Sequence, residues 1–188
     1  MKRGEIPAPS SKKSFMNLET ALGPQEIPPE IREILVLLNL EYSGFDGKLQ
    51  IGQLIVHRQL EEEVRAIFRE ISAAQFPIEK MQPVSVYDYS DDASMADNNS
   101  SAFNYRRAVG KSQLSQHAFG RAIDINPLQN PYVKGDLILP PNGIYNPNAR
   151  GTLREDGAVV QAFEKRGWIW GGRWTSLKDW HHFEKPTC

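Results

Sequence analysis

Apolar positions recur with a helical period in three stretches of the chain. After Pro28, Ile31, Ile34, Leu35 and Leu38 stand at i, i+3, i+4 and i+7, and Pro29 suits a first helical turn, so a helix is expected there. From Gln59 to Ala74, Leu60, Val64, Ile67, Phe68 and Ile71 form the clearest apolar stripe. Glu61, Glu62 and Glu63 stand in its first turn, where the helix dipole favours them, and they read as a solvated helix start. From Glu155 to Arg166, Val159, Val160 and Phe163 point inward, and Gly167 stands where a helix-ending glycine would. A period of two marks the strands. Leu49 and Ile51 alternate, Leu54 and Val56 follow, and His57 closes the run. Gly52 breaks the phase, which implies a bulge or a close backbone approach. Pro83–Tyr87 and Ala122–Ile125 read as further strands, Tyr42–Gly47 as a turn, and Asn126–Tyr132 as a turn leading away from the stretch around Asp124. The loop with Asp88, Asp91, Asp92 and Asp97 lacks the glycine and spacing of a calcium loop and reads as solvated or site-framing. Residues 1–28, rich in Pro, Ser and Lys, are expected as a loose N-terminal arm, leaving residues 29–188 as a single domain. Separate helices and short strands without βαβ alternation predict an α+β fold, a small and mainly antiparallel sheet flanked by helices.

Composition narrows the function. With 188 residues, 40% of them apolar, the chain can bury a sizeable core. Basic and acidic residues number 22 and 23, a balance that argues against a general nucleic-acid binder. No apolar run approaches the ~20 residues of a membrane helix, so no transmembrane segment is expected. Cys188 is the single cysteine, which excludes an internal disulfide. Lys2 and Arg3 are followed by no apolar stretch, so no signal peptide is visible.

Two segments carry candidate chemistry. The first runs Ser115-Gln-His117-Ala-Phe-Gly120-Arg-Ala-Ile-Asp124. Ile123 and Ile125 share one strand face and leave Asp124 on the other, where a carboxylate is costly unless it is paired or ligates a cation. His117 lies seven residues earlier, and Gly120 lets the chain turn between them. On spacing alone, a His–Asp hydrogen bond without metal explains the pair as well. The second segment holds all four tryptophans, Trp168, Trp170, Trp174 and Trp180, and then Asp179-Trp-His181-His182-Phe-Glu184. Two histidines and an aspartate would suffice for a catalytic zinc, which keeps three protein ligands and leaves the fourth position open. Asp179 would be a base outside the ligand set. In a regular strand, Asp179 and His182 point to opposite faces, so both can reach one site only if the chain bends between them. His181 is the rival third ligand. The tryptophans read as an aromatic core around a glycine turn or as a wall of a substrate groove, with Trp170 the candidate for substrate contact.

The pattern Ser-x-His-x-x-Gly-x-Ala-x-Asp, then Trp-x-Trp-Gly-Gly-x-Trp and Asp-x-x-His-Phe-Glu, resembles the zinc D-alanyl-D-alanine carboxypeptidase family. That family includes VanY-type carboxypeptidases and L-alanyl-D-glutamate endopeptidases. The resemblance spans roughly residues 42–184. It implies the Hedgehog/DD-peptidase fold, one Zn2+ per chain held by His117, Asp124 and His182, and Asp179 as general base. It also implies an arginine that polarises the scissile carbonyl, taken as Arg106 with Arg107 the competitor, and Ser115 as a contact to substrate near the metal. The implied substrate is the peptide stem of bacterial peptidoglycan in the cell wall, hence extracytoplasmic action as a hydrolase.

The expected activity is a metallopeptidase cleaving D-Ala–D-Ala as a carboxypeptidase. The rivals are an L-Ala–D-Glu endopeptidase, a zinc-bearing binding module without turnover, and a glycosidase using Asp124 and Asp179.

Overall fold

A two-stranded antiparallel hairpin divides the interior in two. Strands β1 (Leu35–Ser43) and β2 (Leu49–His57) pair in unbroken register from Leu35 opposite His57 to Ser43 opposite Leu49. Their side chains alternate between faces. Leu38, Leu40, Tyr42, Leu54 and Val56 feed the main core, and Leu35 and Ile55 feed a second, smaller one. Both faces are covered, which is why Gln53–Val56 is a continuous buried run. The computed structural model describes residues 15–187.

Helix α3 (Glu61–Ala73) lies on the hairpin and buries Val64, Ile67, Phe68 and Ile71, the expected stripe. Helix α5 (Ala158–Glu164) packs beside it with Val159, Val160 and Phe163 inward, and Gly167 follows in the left-handed region. The smaller core gathers Ala21, Leu22, Ile27, Ile31 and Phe103. Of the expected arm, residues 1–14 lie outside the described residues. Within residues 15–28 the chain forms helix α1 (Leu18–Leu22), capped by the Asn17 side chain, and buries Ala21 and Leu22.

The sheet is not a single one. Besides the hairpin, the described residues form three small sheets: β5 (Ala122–Asp124), β10 (His182–Glu184) and β8 (Ile169–Trp170), antiparallel; β7 (Leu137–Leu139), β6 (Tyr132–Lys134) and β9 (Lys178–Asp179), antiparallel; and β3 (Lys80–Met81) with β4 (Asn99–Ser100), parallel. The mixed α/β class with small, mainly antiparallel sheets holds. Three local expectations do not. The expected helix after Pro28 stops at Arg32 as α2 (Pro29–Arg32), and Leu35 and Leu38 lie in β1 instead. The run Leu35–Leu40 satisfies both periods, and only the strand pairs with β2 while sending Leu38 and Leu40 into the main core and Leu35 into the smaller one. Pro83–Tyr87 is a 3₁₀ turn over Val84–Tyr87 rather than a strand. The aspartate-rich loop contains helix α4 (Asp91–Ala96), capped by Ser90. Gly52 makes no bulge; a Cβ there would stand 2.6 Å from the Cβ and the carbonyl oxygen of Met81, so β3 approaches the hairpin at this point.

Long connections are stitched by buried asparagines. The Asn126 amide donates to the carbonyls of Pro77 and Gly151, and its oxygen accepts from the Glu79 amide. Asn130 bonds the Ile125, Asn126 and Gly151 carbonyls and the Leu153 amide. The expected turn at Asn126–Tyr132 is thus a clamp.

Gly120 has φ of +64°, and a Cβ there would sit 2.5 Å from the His57 nitrogen and 2.7 Å from the Val56 carbonyl carbon. Gly120→Ala adds left-handed strain of about 1–2 kcal/mol and overpacking of about 1–3 kcal/mol. Its stability in chemical denaturation is therefore expected to fall by about 2–5 kcal/mol. A variant as stable as the parent would show that the close approach is absent.

Candidate metal centre

The pairing of β5 with β10 builds the site. His182 stands opposite Asp124 in the antiparallel register, with Phe183 opposite Ile123 on the other face. Phe183 stacks on Phe163 with ring centroids 4.0 Å apart, so its side of the strand is locked into the core and His182 and Glu184 share the side facing the cleft. His117 arrives from a 3₁₀ turn, Gln116–Phe119, between two fixed ends. Ser115 Oγ accepts from the His117 amide at the start, and Gly120 closes the turn and offers its carbonyl to the His57 amide.

Three buried donors then converge. His182 Nδ1 lies 3.0 Å from Asp124 Oδ1, His117 Nε2 lies 3.1 Å from Asp124 Oδ2, and the two nitrogens are 3.2 Å apart. Tetrahedral zinc at about 2.0–2.1 Å from each ligand would space its ligands about 3.3 Å apart. The other ring nitrogens are committed outward. His117 Nδ1 donates to the Ala102 carbonyl, and His182 Nε2 donates to Glu184 Oε2 at 3.2 Å. Both imidazoles therefore turn lone pairs toward the Asp124 carboxylate, an arrangement that needs a cation or a proton between them. The residues fit a metal, and Glu184 supplies the carboxylate–histidine support common around such sites. Glu184 escaped the sequence reading as a support, although a strand with period two already puts residues 182 and 184 on one face.

Electrostatics agree. Burial raises the Asp124 carboxyl, but the charges of His117 and His181 and hydrogen bonds from His117 and His182 outweigh it and hold the group well below the usual carboxylate range. Burial lowers His182, while bonds to Asp124 and Glu184 carry it up to about 10. The hydrogen bond from His182 is the largest cause holding Glu184 below its ordinary value.

Asp179 reaches the same place by the bend that the sequence demanded. It ends β9, and the chain passes from the β7–β6–β9 sheet to the β5–β10–β8 sheet through Trp180 and His181. That turn is pinned: the Trp180 amide donates to the Pro131 carbonyl, the His181 carbonyl accepts from the Ile125 amide, and Trp170 Nε1 donates to the Trp180 carbonyl. Gly171 makes room, since a Cβ there would lie 2.5 Å from the Asp179 carbonyl oxygen. His181 is not part of the converging set. Its Nδ1 donates to the Asn130 carbonyl at 2.7 Å, and its Nε2 lies 2.9 Å from Asp179 Oδ1 but 4.0 Å from Asp124 Oδ2.

These groups floor and wall a cleft of about 470 Å³. Arg106 lines it, with Nη2 2.8 Å from Asp91 Oδ2, whereas Arg107 is exposed and bonds the Ser112 carbonyl. Ser115 lines it as well. Trp170 does not. It is buried in the main core beside Phe183, and Trp174 stands at the cleft instead, 5.6 Å from the His182 ring. The aromatic-core reading thus holds for Trp168 and Trp170 and the groove-wall position for Trp174. Asp91 was expected only as part of a framing loop; its ion pair with Arg106 needs the placement of α4, which no local pattern announces.

Residues 97–185 match the family described as D-alanyl-D-alanine carboxypeptidase. The match bears out the resemblance read from the motifs and encloses His117, Asp124, Asp179 and His182. Among solved structures, the chain is similar to the Serratia marcescens L-Ala D-Glu endopeptidase ChiX, at 22% identity and a TM-score of 0.30. The alignment covers 70% of this chain and 80% of that one. No curated protein matches the chain.

A metal and a proton compete for His182 Nδ1. Because His182 is raised to about 10 in the metal-free state, it holds a proton at neutral pH that the metal must displace. Zinc affinity is therefore expected to rise with pH, roughly tenfold per unit for one displaced proton. Zinc titration calorimetry in buffers of different ionisation enthalpy reads that release directly. Heats independent of the buffer would contradict the assignment.

Proposed function

We propose that this chain, whose residues 97–185 match the D-alanyl-D-alanine carboxypeptidase family, is a zinc metallopeptidase that hydrolyses an amide bond in the peptide stem of bacterial peptidoglycan, as a D-Ala–D-Ala carboxypeptidase. The observation that carries the reading is the convergence of His117, Asp124 and His182 at 3.0–3.2 Å on the floor of a cleft that Asp179 and Arg106 also line. The reading takes residues 29–188 as the peptidase domain, in the architecture such peptidases share with the Hedgehog signalling domain. It places the action outside the cytoplasmic membrane, where that substrate lies. Among the described residues no helix is long and apolar enough to cross a membrane.

His117, Asp124 and His182 would hold the zinc, which when bound supplies Lewis acidity toward a carbonyl and a water of lowered pKa. Asp179 takes the proton of the attacking water and returns it to the departing amine, so the acid and base steps use one carboxylate. Arg106 presents fixed positive charge to the oxygen on which charge develops, and its ion pair with Asp91 spares it reorganisation during the reaction. Ser115 contributes a hydroxyl at the cleft wall, and Trp174 an aromatic face. The pair Arg106 and Asp179 separates this reading from a binding module, which needs neither. The engagement of Asp124 by two histidines separates it from a glycosidase, which needs that carboxylate at the sugar.

Incubation of purified muropeptides with the zinc-loaded protein, read by mass spectrometry, tests the activity. Loss of a terminal alanine, abolished by chelation and by His117→Ala, is the expected result. A cut between L-Ala and D-Glu would assign the endopeptidase specificity instead, and amidating the substrate's C-terminal carboxylate should then leave the rate unchanged. Unchanged muropeptides with zinc bound would overturn the reading.

Asp179→Ala is expected to lower kcat about 10²–10⁴-fold without loss of zinc, the usual worth of a general base. Arg106→Ala is expected to cost about 10²–10³-fold, as for other groups that stabilise an oxyanion. Zinc content by mass spectrometry and steady-state kinetics on the same samples separate these effects from loss of metal.

A further inference from the structure

His181 has no role in the reaction outlined above, yet it is among the most confined polar groups in the protein. Its ring is buried, Nδ1 is hydrogen-bonded, and Nε2 lies at ion-pair distance from Asp179. The Asn130 carbonyl takes the Nδ1 proton at 2.7 Å, so the ring orientation is set by a backbone group that is itself part of the asparagine clamp. The backbone of His181 is fixed too, because its carbonyl accepts from the Ile125 amide next to β5. What this rigid ring presents to the cleft side is Nε2, 2.9 Å from Asp179 Oδ1. Among the described residues, that buried oxygen accepts no well-aligned hydrogen bond, and the His181 ring stands beside it at ion-pair distance. Asp179 sits at the end of a two-residue strand, where nothing in β9 itself restrains its side-chain rotation.

From this geometry we infer that His181 is a positioning residue for Asp179: the Asn130 carbonyl, the His181 ring and the Asp179 carboxylate form a braced line that aims the proton-handling oxygens into the cleft. The inference rests on the reading in which Asp179 moves the proton. It also accounts for two adjacent histidines with different tasks. His182 extends along β10 to the converging donors, and His181, one residue earlier in the turn, projects toward β9. A misplacement of about 1 Å in a catalytic group can cost about 10²-fold in rate, so a brace of this kind is worth having.

The test compares His181→Leu, which removes the brace, with His181→Gln, whose side-chain amide can donate from about the position of Nε2. In the zinc-loaded chain, His181→Leu is expected to lower kcat about 10- to 100-fold. KM and zinc affinity should stay unchanged, and His181→Gln should recover most of the loss. In the metal-free protein, the Asp179 carboxyl ¹³C resonance, assigned through Asp179→Asn, should move in His181→Leu and return toward the parent position in His181→Gln. Zinc affinity falling in step with kcat in both variants would make His181 a support of the metal and overturn the inference. So would a lowered melting temperature with an unmoved carboxyl resonance, which marks a purely structural role. If the parent cleaves no stem peptide, the proposed function fails, while the resonance still decides whether His181 positions Asp179.

Discussion

The site depends on one register: His182 opposite Asp124 across β5 and β10, two residues separated by 58 positions in the chain. Directly opposed residues in an antiparallel pair have Cβ atoms about 4.5–5.5 Å apart, close enough for one ion between their side chains. A slip of β10 by one residue would turn His182 into the core and Phe183 toward the cleft, leaving Asp124 without its partner. The aromatic stack of Phe163, Phe183 and Trp170 opposes that slip, since it can be buried only on the inner face. The core thus sets the register, and the register sets the donor geometry.

Around that pair the chain uses polar groups where regular structure is scarce. Three-residue strands contribute few ladder bonds, so the long connections need other partners. Asn126 and Asn130 provide them from fully buried positions, tying the segments near Pro77, Ile125, Gly151 and Leu153 together. Each buried amide or carbonyl left without a partner would cost about 1–3 kcal/mol, which makes such a clamp cooperative rather than decorative. The same clamp reaches the cleft through the Asn130 carbonyl and His181, so the support of the fold and the aiming of Asp179 are continuous.

The electrostatics of the centre follow from burial more than from net charge. Asp124 is almost wholly withdrawn from water, and its negative charge is sustained by the histidines around it. Those histidines are in turn oriented by groups on their far sides, the Ala102 carbonyl for His117 and Glu184 for His182. Opposite ring nitrogens face inward in the two cases because the outward partners differ. Arg106 is treated likewise, anchored to Asp91 at the first turn of α4.

Much of this was legible in the linear pattern, for reasons that are local. The stripe Val64, Ile67, Phe68 and Ile71 has one solution, because its spacing fits a helix and no strand. Ile123 and Ile125 flanking Asp124 announced an aspartate set apart from its neighbours, and the family resemblance of the motifs singled out His117, Asp179 and His182, where spacing alone left His181 a rival. The stretch Leu35–Leu40 was not legible, since its leucines fit both periods and the choice lay with β2, which is distant in sequence. Nor was the assignment of tryptophans: four rings in thirteen residues look alike until packing buries Trp170 and leaves Trp174 at the cleft. The sequence by itself determined which residue types could make a metal centre and that the two helices carrying Val64–Ile71 and Val159–Phe163 would form, because those follow from side-chain chemistry and short-range periodicity. Only the tertiary structure decided which ring nitrogen faces inward, which arginine reaches the cleft and what His181 touches, because each depends on a partner brought from another strand or turn.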